Sequence, residues 1–350
     1  MESVRADALD RQLVHALGLD GRASFSRIGE VLGVSDQTVA RRYRRLRSRG
    51  TVRVIGSLDR RVVGGTRWWL RLQCVLGAGP AVATALAKRP DTSWVQLLSG
   101  GTEVLCAADP RSDQERDVLM LDRLQRTDRV VAVSAYSLLH MFAGGPTGCG
   151  MFEVLTEEQI AALRPPSPPS SPPPLPSPSP SPSPLPSSAS ASASAPFARG
   201  RVELSDRDRL LLAGLSVDGR TSHADLAAAT GWSESTVRRR LDQLRECGAL
   251  YYDLEVDCPY FGLHTVAWLW MAVSPSHLAA VGEALATHPE VTFAAATTGP
   301  TNLAVNVLCR DDEALYSYLS GRIAGLPGIQ KLETAPIIRN VKQSGAFLPV

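Results

Sequence analysis

Apolar residues recur at helical spacing from the start of the chain. Leu9, Leu13 and Leu17 lie four apart and predict an amphipathic helix, and a second is predicted near Phe25 to Leu32. Gly33 breaks it, and Ser35 is placed to cap a third helix through its hydroxyl. On that third helix Val39, Tyr43 and Leu46 share one face at i, i+4 and i+7. The other faces carry Gln37, Thr38, Arg41, Arg42, Arg44, Arg45, Arg47 and Arg49. The run TVRVIGSLD then reads as a strand, a wing or a connector. Further on the pattern turns to alternation. In TRWWLRLQCVL, Trp68, Leu70, Leu72, Cys74 and Leu76 face one way and Arg67, Arg71 and Gln73 the other, which predicts a half-buried strand. A helix with Pro80 near its first position follows. Two strands around Gly100-Gly101, a helix over about 112–127 and a strand from Val130 to about Met141 complete the series.

The same series occurs twice. LDGRASFSRIGEVLGVSDQTVARRYRRLRSRG (19–50) aligns with VDGRTSHADLAAATGWSESTVRRRLDQLRECG (217–248) at a constant offset of 198. After a one-residue insertion, KRPDTSWVQLLSGGTEVLC mirrors THPEVTFAAATTGPTNLAV. The second copy is predicted to place a strand at 263–273, a helix after Pro275, a hairpin at Gly299-Pro300, a helix after Asp311 and a strand ending near Arg339. Each copy is thus a helix-turn-helix followed by β-α-β-β-α-β, the order of a ferredoxin-like sandwich, and the fold class is α+β.

Composition separates the copies. Between Pro165 and Pro196 stand 14 Pro, 12 Ser, 4 Ala and 2 Leu and nothing else, a tract that offers no core and reads as a disordered tether. The expected division is a helix-turn-helix domain at 1–62, a ferredoxin-like domain at 63–145, a linker at 146–199, a second helix-turn-helix domain at 200–260, a second ferredoxin-like domain at 261–342 and a tail at 343–350. The opening residues carry no apolar signal segment and no run has the length of a membrane span, so a cytoplasmic protein with no membrane partner is expected. The six cysteines show no CxxC and no metal-ligand spacing; they read as reduced residues, and no metal or cofactor is expected.

Net charge informs only when divided. Residues 1–164 carry +5 and residues 197–350 carry −3. Within the first helix-turn-helix, residues 23–50 hold seven Arg against Glu30 and Asp36; the equivalent 221–248 balance four Arg against four acids. The second helix of such a pair enters the major groove of double-stranded DNA. Candidate DNA contacts are Ser35, Gln37, Thr38, Arg41, Arg42, Arg44 and Arg45 in the first copy. In the second they are Ser233, Ser235, Thr236, Arg238 and Arg239, with a weaker electrostatic grip or a scaffold role.

A helix-turn-helix ending in SDQTVARRYRRLRSRG, followed by a βαββαβ domain with a Gly-rich hairpin, resembles the Lrp/AsnC family of transcription regulators. The resemblance covers nearly all the chain, twice, excepting the linker. It implies a DNA-binding regulator, pairing of βαββαβ sheets (here between the two copies of one chain), higher homo-oligomers, and small amino-acid effectors between those domains. The family's hairpin carries Gly-x-x-Asp, from which this sequence departs with Gly100-Gly101-Thr102-Glu103 and Gly299-Pro300-Thr301-Asn302. Candidate effector residues are Gly100, Gly101, Glu103, Gly299 and Asn302. Backbone amides at the glycines suit a ligand carboxylate, and Glu103 suits its ammonium.

Two rival readings stand beside this one. The sirohaem decarboxylases resemble the same frame and would nominate His140 or His264; an amino-acid-sensing protein without DNA binding is the other. The six histidines do not cluster, there is no HExxH or GxSxG, and GGPTGCG at 144–150 is not followed by the Lys-Ser/Thr of a phosphate loop, so no catalytic residue is assigned. Arginine density on the third helix favours the regulator, because a decarboxylase does not need it.

Overall fold

The computed structural model describes residues 6–110, 112–123, 127–144, 152, 154–164 and 202–345; the Pro/Ser tract and Cys149 lie outside the described residues. The first copy runs α1 (Ala8–Leu19), α2 (Phe25–Leu32), α3 (Asp36–Ser48), β1 (Val52–Leu58), a single turn α4 (Arg60–Val63), β2 (Trp68–Cys74), α5 (Gly79–Ala87), β3 (Thr92–Leu98), β4 (Glu103–Ala108), α6 (Asp113–Asp117) and β5 (Val130–Ala143). A helix α7 (Glu157–Leu163) follows. The second copy runs α8 (Asp206–Val217), α9 (His223–Thr230), α10 (Glu234–Glu246), β6 (Leu250–Val256), β7 (Thr265–Val273), α11 (Leu278–Ala286), β8 (Val291–Thr297), β9 (Leu303–Cys309), α12 (Asp312–Tyr318) and β10 (Ile329–Lys342).

The helix-turn-helix units form where their caps require. The Ser24 and Ser35 hydroxyls accept from the N–H groups of Arg27 and Thr38, and Gly33 closes α2 in the left-handed region at φ 68°. Ser222, Ser233 and Gly231 (φ 68°) repeat this in the second copy. Val39, Tyr43 and Leu46 of α3 are buried, as are Val237, Leu241 and Leu244 of α10. At about 1.5–3 kcal/mol per fully buried large side chain, these stripes fix the orientation of each helix.

The two copies interlock. Eight of the strands close into one antiparallel barrel in the order β10-β3-β4-β2-β5-β8-β9-β7. Both 14-residue strands cross between copies: β5 pairs with β2 and then with β8, while β10 pairs with β7 and then with β3. Inside the barrel Trp69, Tyr136, Trp268, Trp270 and Phe293 pack ring against ring, with Trp69 and Trp268 centroids 4.8 Å apart. This corrects the expectation of a half-buried β2. Trp69, Leu70, Arg71 and Leu72 are all buried, because the second face of the sheet is covered by the sheet of the other copy. Leu76, expected on the inward face, is 87% exposed in the turn beyond the strand.

A second crossing explains the repeated Asp-Gly-Arg. β1 and β6 pair antiparallel as a two-stranded ribbon between the helical units and the barrel. Against it, Arg22 donates to the carbonyls of Gly219 and Thr221 (2.9 and 3.1 Å), and Arg220 donates to those of Gly21 and Ala23 (2.6 and 2.9 Å). Arg47 pairs with Asp218 and Arg245 with Asp20. The intervening glycines are needed for close approach: a Cβ on Gly219 would stand 2.9 Å from the Ile55 carbonyl carbon, and one on Gly21 2.8 Å from the Tyr252 Cβ.

α7 falls inside the stretch expected to be linker. Thr156 and Gln159 form a capping box, Leu163 is fully buried, and Arg27 donates to the carbonyl of Ala162, so these residues fold onto the first helix-turn-helix. The signal in the sequence was Thr-x-x-Gln ahead of Ile160 and Leu163. Among the described residues no helix is long and apolar enough to cross a membrane, and no group of three or more metal-ligating side chains is assembled.

Candidate nucleic-acid interface and effector sites

The outer face of α3 presents Gln37, Arg41, Arg44 and Ser48, all exposed, with Ser35 and Asp36 exposed at its N-terminus. Spacings of four, three and four set these side chains along one stripe opposite the buried one. Thr38 is half-buried, its hydroxyl 2.9 Å from that of Ser35. The equivalent stripe of α10 is Ser235, Arg239, Asp242 and Glu246, also exposed, and with Arg238 and Gln243 it forms a shallow concavity. Ser233 and Thr236 make the same cap pair at 2.9 Å.

Arg42 and Arg45 do not share that stripe. Both turn inward to Asp10 of α1, which is 1% exposed: Arg42 Nη1 lies 2.9 Å from Oδ1, and Arg45 Nη2 2.7 and 2.6 Å from the two oxygens. Arg42 also binds Asp7, and the Tyr260 hydroxyl of the second copy donates to Asp10 at 3.0 Å. The second copy repeats the device with one arginine: Arg240 binds Asp208 at 2.7 and 2.9 Å. Burial alone would raise the Asp208 carboxyl, yet the Arg240 guanidinium and Ser205 hold it below its ordinary 3.8. Asp10 and Asp208 therefore lock each third helix to its first helix. Sequence reasoning missed both, although each stands 32 residues before its arginine.

The Gly-rich hairpins are built but occupied from within. Gly100 and Gly101 take left-handed angles (φ 72° and 87°), as does Gly299 (φ 104°), which packs on the Tyr136 ring. Glu103 is 2% exposed, its carboxylate bound by Arg71, which also binds Glu333 of the second copy. Hydrogen bonding to Arg71 holds Glu333 below its ordinary range. Asn302 uses both ends of its amide on Val273, accepting from its N–H and donating to its carbonyl, each at 2.8 Å. His140 and His264 are both exposed; His140 stands edge-on to Phe142 and borders the central cavity, which His264 does not.

That cavity, of about 790 Å³, lies between one end of the barrel and the β1–β6 ribbon. Trp69, Trp94, Trp268 and Phe293 line it from the barrel, Tyr251 and Asp253 from the ribbon, and His15 from α1.

The AsnC-type helix-turn-helix domain matches at residues 7–47 and again at 204–245, and the Lrp/AsnC ligand binding domain at 266–347. An uncharacterized HTH-type transcriptional regulator of Pyrococcus horikoshii is 31% identical over 146 residues, covering 41% of this chain and 92% of that protein. The HTH-type transcriptional regulator FL11 of the same organism is 26% identical over 145 residues, covering 41% and 95%. Among solved structures, the siroheme decarboxylase NirDL superposes with a TM-score of 0.57 over 96% of this chain and 93% of that one. Its identity is 13%, and the likeness is one of fold.

Proposed function

The chain belongs to the Lrp/AsnC family, and from that premise we propose that it is a sequence-specific DNA-binding transcription regulator responsive to a small-molecule effector. The observation that carries the reading is the exposed stripe Gln37, Arg41, Arg44 and Ser48 on α3, free of acidic side chains and opposite a fully buried stripe. Gln37, together with Ser35 at the cap, faces the base edges, while Arg41 and Arg44 take phosphates or guanine. Arg42 and Arg45 hold the helix in place through Asp10. Ser235, Arg238 and Arg239 of α10 read the second half-site.

The covalent fusion gives the pair of helices a fixed, unequal partnership. A symmetric dimer favours a palindrome; two different helices on one chain favour an operator with two different halves. Effector response is supported by the matched ligand binding domain. With Glu103 held by Arg71 and Asn302 by Val273, the hairpins offer a ligand backbone amides, which suit a carboxylate.

The test is to recover DNA bound by the protein in its host and titrate those fragments in a mobility-shift assay. Retardation that falls with Arg41→Ala and Arg44→Ala is expected; no retardation of any recovered fragment would overturn the reading.

A further inference from the structure

We propose that the central cavity is a second ligand site, distinct from the hairpins, that takes a flat aromatic cation bearing one hydrogen-bond acceptor. Three independent observations support it. The first is shape and lining. A cavity of about 790 Å³ is within the range of small-molecule sites, and Trp69, Trp94, Trp268 and Phe293 give it aromatic faces drawn from both copies. Aromatic faces attract cations through their quadrupole and stack on flat rings.

The second is a carboxyl without an ion pair and an indole N–H without an acceptor, both among the described residues. Asp253 accepts a hydrogen bond from the Leu254 N–H and, among the described residues, forms no ion pair. The nearby guanidinium of Arg67 is already clamped to Asp109 at 2.8 and 2.9 Å. Burial and the neighbouring Glu255 push the Asp253 carboxyl up to about 6. A carboxyl so placed beside a cavity is short of a cation. Trp69 is 3% exposed and borders the same space, and its Nε1–H has no acceptor among the described residues. By contrast the Trp268 Nε1–H is satisfied by Gln96 at 2.7 Å.

The third is strain. Trp94 has φ 50°, a left-handed angle that a bulky residue adopts only when its surroundings impose it, and its N–H is tied to the Gln343 carbonyl at 3.0 Å. That backbone turns the indole to the cavity's edge at a bulge in β3 between Ser93 and Gln96.

The remaining charged and titratable groups around the space are His15, Asp59, Arg67, His140, Arg164 and Tyr251. His15 accepts the N–H groups of Val154 and Leu155 on Nδ1, which ties its ring to the chain ahead of α7.

The experiment is calorimetry on the full chain, without DNA, using quinolinylmethylammonium, quinoline and quinoline carboxylate as cationic, neutral and anionic probes of one shape. The expected result is one site per chain and the affinity order cation, neutral, anion. The cation should bind more tightly as pH rises through about 6 and Asp253 ionises. Asp253→Asn should weaken the cation at least tenfold and leave quinoline unchanged; Trp69→Phe should weaken all three severalfold. No binding, or anion binding as tight as cation binding, in the wild-type protein would overturn the proposal whether or not the variants fold. Cation binding untouched by a folded Asp253→Asn would do so too. A chain that shifts DNA yet binds no probe refutes this site alone; one that binds the cation yet shifts no DNA refutes the regulator reading alone.

Discussion

Helices α3 and α10 begin with the same serine cap, bury the same three-position stripe and hang on equivalent buried aspartates. Their outer faces differ: Arg44 and Ser48 of α3 stand where α10 has Asp242 and Glu246. What the two copies share is what folding requires of both; what they do not share is the face turned away from the protein. A duplicated pair is an internal control, since the fold around each helix is nearly the same. Opposed charges on one face point to different duties toward a phosphate backbone, not to different folds.

The largest effect is expected where the helices are held. Among the described residues Asp10 has two guanidinium partners and Asp208 one. Arg240→Ala leaves the Asp208 carboxylate buried without a cation and should destabilise the second helix-turn-helix by about 3 kcal/mol. Arg45→Ala leaves Arg42 on Asp10 and should cost about 1 kcal/mol. Urea unfolding followed by helical circular dichroism measures both. Equal losses would mean that the second arginine on Asp10 adds nothing to the lock.

Next comes the DNA face. Removing Arg41 and Arg44 together should lower the slope of log affinity against log salt by about 1.8, at roughly 0.9 per phosphate contact. Arg239→Ala should lower it by at most about 0.9. Equal losses from Arg41→Ala and Arg239→Ala, compared singly in one mobility-shift titration, would erase the ranking of the two helices.

These tests separate what the sequence displayed from what it hid. Periodicity placed α2 and the inward stripe of α3, because a buried stripe must repeat with the helix. The Ser caps and Gly33 were legible because few residues fill those positions. The duplicated βαββαβ order pointed to the right sheet. It did not show that the second face of β2 is covered, since Arg71 in an alternating strand looks like a solvent residue until Glu103 and the distant Glu333 are brought to it. For the same reason Arg42 and Arg45 read as DNA ligands: an arginine meant for a phosphate and one meant for an aspartate on another helix look identical in one dimension. The cavity was invisible, its walls being drawn from β2, β3, β6, β7 and β8, scattered over more than 200 residues.

A gain of charge should sharpen the comparison more gently. Asp242→Arg gives α10 the residue that Arg44 supplies on α3, at an exposed site where folding is indifferent. If α10 lies on DNA, the salt slope should steepen by about 0.9 and affinity rise by about 1 kcal/mol. An unchanged slope would place α10 away from the phosphates and make it a scaffold.

The smallest effect concerns pH and the single arginine of the second copy. The Asp208 carboxyl is held below 3.8 in the fold, so the fold favours its ionised form. The stabilisation is complete above the unfolded value and is lost as pH falls through the lower, folded one. The chain should therefore lose stability on acidification from pH 5 to pH 3, and Asp208→Asn should flatten that loss. Thermal midpoints of wild type and Asp208→Asn at the two pH values measure it. A variant that loses as much stability as wild type between pH 5 and pH 3 would show that the acid sensitivity lies elsewhere and that Arg240 holds α10 mainly by its hydrogen bonds.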